Sequence, residues 1–218
     1  AEGLEFFVGV PDSLLKQLCA CIDDNLTKSQ HVISTNEGSA VGLALGYHLA
    51  TNKIPVVYMQ NSGLGNSINP LLSLADSDVY AIPMILIIGW RGELNADLSQ
   101  LKDEPQHVKQ GKITLELLDT MDITYKVIDG SSEYSSIINE VVNESRLNSK
   151  PVAIVVRKNT FSKYIPKAIL DEDIGSSYSF TREDVIESVV NIIGTKYPIV
   201  STTGMASREL YELRESHN

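Results

Sequence analysis

An acidic residue stands where a predicted strand passes directly into a predicted helix. The β-branched run at residues 31–34 is typical of a buried strand, and the residues after it follow the period of a helix. Asn36 is a good N-cap, so Glu37 takes the first helical position. The carboxyl ends of strands are the usual place for ligand chemistry in open α/β sheets. Glu37 could share a proton with a ligand there, or it could only complement the helix dipole.

Glycines recur along this predicted helix at Gly38, Gly42 and Gly46, so one face of it carries almost no side-chain bulk. Each glycine costs about 1 kcal/mol of helix stability relative to alanine. We therefore expect another helix or a flat ligand to approach this face closely.

A glycine-bearing segment, residues 60–67, follows a predicted strand and precedes a predicted helix. We expect a loop here, because the backbone N–H groups of such a loop can reach an anion or a ligand ring. The segment fails the dinucleotide-binding pattern, since Ile68 stands where the third small residue belongs.

A long polar segment, residues 89–111, has little helical or strand period and holds Trp90, Arg91 and His107. Loops of this length are uncommon in compact domains and are usually functional or disordered. These three side chains favour a functional loop.

Six predicted strands alternate with helices, which predicts a doubly wound, mostly parallel α/β domain over residues 1–157. The fully apolar run at 83–88 is typical of a strand covered on both faces, so we place it at the centre of the sheet. The predicted strands are 5–9, 31–34, 54–59, 83–88, 125–128 and 151–156, and the helices between them begin near residues 14, 36, 68, 112 and 132.

Residues 158–180 are predicted as a linker, and residues 181–218 as the start of a second α/β domain. Thr181 opens a helix whose start resembles a capping box, residues 199–204 form a predicted strand and turn, and a further helix follows. We expect this second domain to continue beyond residue 218.

The composition argues against several classes of function. The chain has 218 residues, is 43% hydrophobic and carries a net charge of −10, which disfavours electrostatic binding to nucleic acid or to anionic membranes. Its apolar runs are too short to span a membrane, and we expect a cytoplasmic protein. Cys19 and Cys21 point to different faces of a predicted helix, so we expect packing residues rather than a disulfide or metal ligands.

The sequence has no spacing typical of zinc or iron ligands, no Gly-x-Ser-x-Gly elbow and no phosphate-loop lysine. We therefore predict no metal ligands in this chain. A lone carboxylate, a glycine-bearing segment and a long loop with basic residues fit assistance to a bound cofactor better than chemistry by side chains alone.

Several motifs together resemble the amino-terminal, pyrimidine-binding domain of the thiamine diphosphate-dependent 2-oxo acid decarboxylases. They are Gly-Val-Pro-Asp-Ser at 9–13, Asn-Glu-Gly at 36–38, Gln-Asn-Ser-Gly-Leu-Gly-Asn at 60–66, Gly-Trp-Arg-Gly-Glu at 89–93 and Asp-Glu-Pro-Gln-His at 103–107. Thr-Thr-Gly at 202–204 with Ser-Arg-Glu-Leu at 207–210 resembles the opening of that family's second, diphosphate-binding domain. The resemblance covers essentially the whole chain.

The resemblance implies thiamine diphosphate and Mg²⁺ as cofactors. Glu37 is then the carboxyl that hydrogen-bonds the aminopyrimidine ring and favours its imino tautomer, while Asn61, Ser62, Gly63 and Asn66 are the other implied cofactor-binding residues. The family's Gly-Asp-Gly motif for Mg²⁺ and the diphosphate is absent here and is expected in the second domain beyond residue 218. We therefore expect this chain alone to be inactive.

The resemblance also implies a lyase that converts 3-phosphonopyruvate to phosphonoacetaldehyde and CO₂, in phosphonate biosynthesis of the 2-aminoethylphosphonate type. An anionic substrate needs local donors in a net-acidic chain, and Arg91 is the first candidate because a guanidinium grips a phosphonate with two parallel hydrogen bonds. Asp12, Ser13 and His107 are further substrate-binding candidates, and Asp12 and His107 are also candidates for proton transfer.

Plainer interpretations of these residues stay open from the sequence. Arg91 could pair with Glu93 or Glu104, His107 could be a hydrogen-bonded loop histidine, and Asp12 could only cap the next helix.

Two alternatives of function also stay open. Sulfopyruvate has the same shape as 3-phosphonopyruvate with one fewer negative charge, and a non-catalytic subunit or binding module is the alternative of another class. In the family the site lies between the first domain of one chain and the second domain of another. That arrangement implies a homodimer or larger homo-oligomer, and the face of Gly38, Gly42 and Gly46 is our candidate contact.

Overall fold

The computed structural model describes residues 3–167, 179–194, 196–201 and 204–216. Its contacts divide the chain into two units, residues 1–171 and 172–218. The strands of the first unit are β1 (Phe7–Gly9), β2 (His31–Ile33), β3 (Val56–Gln60), β4 (Met84–Gly89), β5 (Tyr125–Ile128) and β6 (Pro151–Val156). Its α-helices are α1 (Lys16–Asn25), α2 (Glu37–Thr51), α3 (Leu64–Pro70), α4 (Pro105–Thr120) and α5 (Tyr134–Asn148).

The strands form one six-stranded sheet in the order β2-β1-β3-β4-β6-β5. Every neighbouring pair is parallel, which confirms the predicted doubly wound α/β fold. β3 and β4 are the two middle strands, so the fully apolar run at 83–88 does lie at the centre of the sheet.

Helices on the two faces of the sheet bury two separate apolar cores. The core beneath α2, α3 and α4 contains Leu64, Leu86 and Leu118, all at 0% exposure. The core beneath α1 and α5 contains Cys19 and Val141. Burial also raises the pKa of the Cys19 thiol to about 11, which keeps that group uncharged within the core.

β2 is a strand, as predicted, but it is not buried. It lies at the edge of the sheet with β1 as its one neighbour, and Ile33 is 62% exposed. The His31 side chain connects this strand to the buried Tyr58 on β3, since one ring nitrogen lies 2.7 Å from the Tyr58 hydroxyl. The other ring nitrogen lies 2.7 Å from Asp23 Oδ1. A β-branched run indicates a strand but does not specify its place in the sheet.

The glycine-bearing segment after β3 is helical, so the predicted loop at 60–67 is wrong. Asn61–Gly63 form a 3₁₀ turn, α3 follows at once, and a π-helical stretch, Leu71–Ala75, continues it. Leu64 is fully buried in the core. Tertiary packing here overrides the low helix propensity of glycine.

The start of α4 also differs from the prediction, because this helix begins at Pro105 rather than near residue 112. Proline is favoured in the first turn of a helix. His107 therefore lies in that first turn and not in a loop. Gly111, which weakens the helical pattern, is required by close packing, since a Cβ at this position would lie 1.9 Å from the backbone oxygen of Gly92.

The second unit contains the described helices α6 (Arg182–Ile193) and α7 (Met205–Ser216). The predicted capping box is confirmed: the Asp184 amide donates to Thr181 Oγ1 at 3.2 Å, and Asp184 Oδ2 accepts from the Thr181 amide at 2.7 Å. The strand predicted at 199–204 is not found at residues 199–201 or 204, and residues 202 and 203 lie outside the described residues.

Residues 168–178 of the predicted linker lie outside the described residues. Before them the chain returns along α1, where the Tyr164 amide donates to Gln17 Oε1 at 2.7 Å. The domain boundaries at 157 and 181 stay predictions. Within the part of the chain that the structure describes, no helix is long and apolar enough to cross a membrane.

Candidate functional site

The parallel sheet brings most of the predicted site residues to one edge. Asp12 and Ser13 follow β1, Glu37 follows β2, and Arg91 follows β4, each just beyond the carboxyl end of its strand. Asn61 directly follows β3 at the same edge. The carboxyl edge of an open α/β sheet is where ligands bind, and the contacts there form two clusters, one around Glu37 and one around Arg91.

The first cluster is built on the start of α2. The side chain of Asn36 accepts a hydrogen bond from the Ser39 amide at 2.8 Å, which confirms Asn36 as the N-cap and Glu37 as the first helical residue. Glu37 Oε2 accepts from Asn66 Nδ2 at 2.8 Å. Within the described residues, Glu37 Oε1 accepts no hydrogen bond.

Two glycines allow α2 and the segment after β3 to touch at this point. A Cβ at Gly63 would lie 2.4 Å from Glu37 Cγ, and a Cβ at Gly38 would lie 2.7 Å from the backbone oxygen of Asn66. The close helix contact predicted for Gly38 is therefore present. A Cβ at Gly42 or Gly46 would meet nothing within 4 Å, so the contact predicted for that part of the face stays a prediction.

Asn61 and Ser62 make their side-chain contacts within the chain. Asn61 Nδ2 donates to the Arg91 carbonyl at 2.9 Å and to Thr114 Oγ1 at 2.8 Å, while its Oδ1 accepts from the Arg91 amide at 3.2 Å. Ser62 Oγ accepts from Gln60 Nε2 at 2.7 Å. Asn61 thus fixes the chain after β4 against α4, and the cofactor contacts expected of both residues stay predictions.

The second cluster centres on Arg91. Its Nη1 donates to Ser13 Oγ at 3.2 Å, and its Nη2 donates to Asp103 Oδ1 at 3.0 Å. Glu93, one of the ion-pair partners considered from the sequence, instead lies 3.4 Å from Arg157 Nε and accepts from the Lys158 amide at 2.8 Å. Arg91 therefore joins Ser13, a predicted site residue, to Asp103.

Asp103 receives donors on both carboxylate oxygens. His107 Nδ1 lies 2.9 Å from Oδ1, the Glu104 amide donates to Oδ1 at 2.8 Å, and the Gly92 amide donates to Oδ2 at 2.9 Å. Burial raises the pKa of this carboxyl, but the hydrogen bonds from His107, Glu104 and Gly92 and the charge of Arg91 together lower it to about 2. Asp103 is therefore ionised at neutral pH.

Sequence reasoning missed Asp103 as a site residue, although it lies four positions before His107. Residues at this spacing face each other on a helix, and this is the one signal that could have indicated the pair, although Asp103 itself lies just before α4. The contacts from Gly92 and Arg91 come from a different segment, so no local pattern reveals them.

Asp12 is a buried carboxyl, only 7% exposed. Its Oδ2 accepts from the Leu14 amide at 3.0 Å, and a Cβ at Gly89 would lie 2.4 Å from the same oxygen. Burial raises the pKa of Asp12, while the Leu14 hydrogen bond and the Arg91 charge oppose the shift. Leu15 is the residue before α1, so neither Asp12 nor Ser13 is the N-cap of that helix.

A family model described as "Thiamine pyrophosphate enzyme, N-terminal TPP binding domain" matches residues 1–116. The chain is 34% identical over 155 residues to the sulfopyruvate decarboxylase subunit alpha of Methanococcus maripaludis, covering 71% of this chain and 87% of that protein. It is 31% identical over 230 residues to the phosphonopyruvate decarboxylase of Streptomyces viridochromogenes, covering 99% of this chain and 55% of that protein. The chain thus spans about half the length of this second relative.

Two solved structures have the same fold. The thiamine diphosphate-dependent 4-hydroxybenzoylformate decarboxylase of Rhodococcus jostii RHA1 matches with a TM-score of 0.52 and 18% identity, over 87% of this chain and 35% of that one. The benzoylformate decarboxylase of Polynucleobacter necessarius matches with a TM-score of 0.54 and 17% identity, over 89% of this chain and 34% of that one.

Proposed function

Because this chain belongs to the family of thiamine pyrophosphate enzymes, we propose that its Glu37 cluster holds the aminopyrimidine ring of thiamine diphosphate. The observation that supports the proposal most directly is the hydrogen bonding of the Glu37 carboxylate. One oxygen is held by Asn66 at 2.8 Å, and the other accepts no hydrogen bond from the described residues. The donor set fits the ring, since a carboxylate with a free oxygen can hold or share a proton with a ring nitrogen.

Each neighbour has a defined part in this arrangement. Asn66 orients the Glu37 carboxylate, and Gly63 leaves the space that the Glu37 side chain fills. When bound, thiamine diphosphate supplies the electron sink for loss of CO₂ from a 2-oxo acid. The Mg²⁺ ion and the diphosphate group are proposed to bind a second domain, and residues 181–218 are proposed as its beginning.

The Arg91 cluster is proposed to bind the substrate. Ser13 and Asp103 hold the guanidinium at two of its nitrogens, and its remaining N–H groups can grip an anionic group. Asp12 and His107 are the proposed groups that hold or move protons. Burial favours the protonated form of Asp12, as that role requires.

We propose 3-phosphonopyruvate as the substrate, with phosphonoacetaldehyde and CO₂ as products. The support is the extent of the match, because the phosphonopyruvate decarboxylase aligns with 99% of this chain. The sulfopyruvate decarboxylase subunit alpha aligns with only 71%. A homo-oligomer that uses the Gly42 and Gly46 face of α2 remains part of the proposal.

Sulfopyruvate is the second candidate substrate. The observation that favours it is the 34% identity to the sulfopyruvate decarboxylase subunit alpha. The two substrates share a shape and differ by one negative charge, so the same cluster around Arg91 could bind either.

A competition experiment separates the two substrates. The complete protein that contains this chain is supplied with thiamine diphosphate, Mg²⁺ and equal concentrations of both 2-oxo acids, and each aldehyde product is measured by NMR. We expect phosphonoacetaldehyde to dominate, and Glu37→Gln to abolish both products. A preference for the sulfonate would replace the first substrate with the second. Formation of neither aldehyde would favour a non-catalytic subunit or binding module.

A further inference from the structure

We propose that Asp103 is a positioning residue, whose carboxylate holds His107 with its hydrogen on Nδ1 and so leaves Nε2 as the nitrogen that exchanges a proton with a bound substrate. The same carboxylate orients the Arg91 guanidinium. This inference rests on the proposed function only for the identity of the substrate.

Backbone groups hold the Asp103 carboxylate independently of the side chains of His107 and Arg91. The Gly92 and Glu104 amides donate to its two oxygens at 2.9 and 2.8 Å, so backbone groups set its plane. Gly92 has φ +65°, and a Cβ there would lie 2.3 Å from the His107 carbonyl oxygen. The loop after β4 is therefore packed directly on the first turn of α4, and Asp103 lies beside this contact.

The state of Asp103 determines the tautomer of His107. An ionised carboxylate only accepts hydrogen bonds, so the 2.9 Å contact requires the imidazole to donate from Nδ1. Arg91 Nε lies 3.3 Å from the same nitrogen and would need it as an acceptor, which it cannot be at the same time. The contact to Asp103 is shorter and charge-assisted, and it prevails. Within the described residues, Nε2 has no hydrogen-bond partner.

Arg91 is held by the same group. Its Nη2 contact with Asp103 and its Nη1 contact with Ser13 fix the guanidinium between the loop after β1 and the start of α4. The side chain of Arg91 is 20% exposed, so part of it is open to a ligand. The Asp103 carboxylate thus orients both His107, the acid–base group, and Arg91, the anion-binding group.

Nitrogen NMR of the imidazole rings tests the proposal on the complete protein. The chain contains four histidines, and the resonances of His107 are identified by their loss in His107→Gln. We expect the Nδ1–H tautomer of His107 in the wild type and its loss in Asp103→Asn, since an amide can also present N–H to the ring. Asp103→Glu should restore the tautomer in part.

Kinetics give the second measurement. We expect Asp103→Asn to lower kcat by about 100-fold, which is the scale expected when a catalytic group is misplaced by about 1 Å. We also expect it to raise KM, because Arg91 loses a partner. The matched control is Asp97→Asn in the same loop: Asp97 accepts from the Ser99 amide at 3.0 Å and has no contact with Arg91 or His107. This control should leave the tautomer and kcat unchanged.

The outcomes separate this inference from the proposed function. An Nε2–H tautomer in the wild type, or an unchanged tautomer in Asp103→Asn, would overturn the role of Asp103. If Asp103→Asn does not fold, the wild-type tautomer alone decides. If the tautomer behaves as expected but neither 2-oxo acid is decarboxylated, the role of Asp103 stands and the proposed function fails.

Discussion

The side-chain amide of Asn66 donates a hydrogen bond to Glu37 Oε2 at 2.8 Å, and this contact joins the first turn of α2 to α3. The two residues come from successive strand–helix junctions along the chain, since Glu37 follows β2 and Asn66 lies in the helix after β3. The contact sets the orientation of the carboxylate and leaves its second oxygen for a ligand. The proposed cofactor site therefore depends on the packing of α2 against α3 as well as on the acid itself.

Gly63→Ala tests this packing without removing the carboxyl group. The added Cβ would lie 2.4 Å from Glu37 Cγ, so Glu37 has to move away from its present position. We expect the affinity of the complete protein for thiamine diphosphate to fall by about 10-fold, which corresponds to about 1.4 kcal/mol. Calorimetric titration in the presence of Mg²⁺ measures the change.

The matched control is Gly65→Ala, two residues later in the first turn of α3. A Cβ at this position would meet nothing within 4 Å, and alanine is the better helix former by up to about 1 kcal/mol. Gly65→Ala should bind the cofactor as the wild type does and unfold at a higher denaturant concentration. Equal cofactor affinity in both alanine variants would show that the position of Glu37 does not matter.

Asp12→Asn should stabilise the fold while it lowers activity. Burial raises the pKa of Asp12, so the folded state disfavours the carboxylate and stability falls as pH rises through the unfolded pKa of about 4 toward the folded pKa. The amide removes that charge and can still accept from the Leu14 amide. At neutral pH we expect Tm to rise by about 2–4 °C for each kcal/mol gained in the free energy of unfolding. Below about pH 4 we expect Tm to be unchanged. Thermal unfolding of wild type and Asp12→Asn, at neutral pH and below about pH 4, measures the change in Tm. A lower Tm for Asp12→Asn at neutral pH would contradict the prediction.

Asp103 should change the pH dependence of folding stability in the opposite direction to Asp12. Its pKa in the fold is about 2, below the unfolded value near 4, so its stabilisation is complete above about pH 4 and is lost as pH falls toward 2. We expect Asp103→Asn to be less stable than the wild type at neutral pH by about 2 kcal/mol, with the difference shrinking between about pH 4 and 2. Urea unfolding across this range measures it, and a constant difference would count against the ion pair.

Asn61→Ala should destabilise the first unit, because it removes the bridge between the chain after β4 and α4. The variant leaves the Arg91 amide and carbonyl without their side-chain partner at a position where Asn61 is 4% exposed. We expect a loss of about 2–3 kcal/mol in the free energy of unfolding. Asn95→Ala is the control, since its side chain makes one exposed hydrogen bond to Ser99, and it should cost less than about 0.5 kcal/mol. Similar unfolding midpoints would argue against the bridge.

The sequence was sufficient where the signals are local. A β-branched run, the Asn36 cap and a helical period place Glu37 within a few residues, and the structure has it there. The alternating strands and helices likewise predict the parallel sheet. The glycine-bearing segment after β3 was mispredicted because the burial of Leu64 outweighs the propensity of Gly63 and Gly65, and propensity alone carries no information about burial.

The sequence alone does not predict the role of Asp103, because this role also depends on packing between segments. Its donors include the Gly92 amide and the Arg91 guanidinium, which reach it only because the loop after β4 folds onto α4. The same contact explains why a glycine lies within that helix, since a Cβ at Gly111 would lie 1.9 Å from the Gly92 oxygen. Contacts between segments decide both features, and a single sequence does not report them.

Calorimetric titration of the complete protein with thiamine diphosphate and Mg²⁺, wild type against Glu37→Gln, tests the proposed cofactor site most directly. We expect the wild type to bind, and Glu37→Gln to bind about 10-fold more weakly, because the Gln side-chain amide has no titratable proton to share with the ring nitrogen. An analogue with that nitrogen replaced by C–H should bind both proteins equally. Equal affinity of the two proteins for thiamine diphosphate itself, or no binding by the wild type, would contradict the assignment of Glu37 to the aminopyrimidine ring.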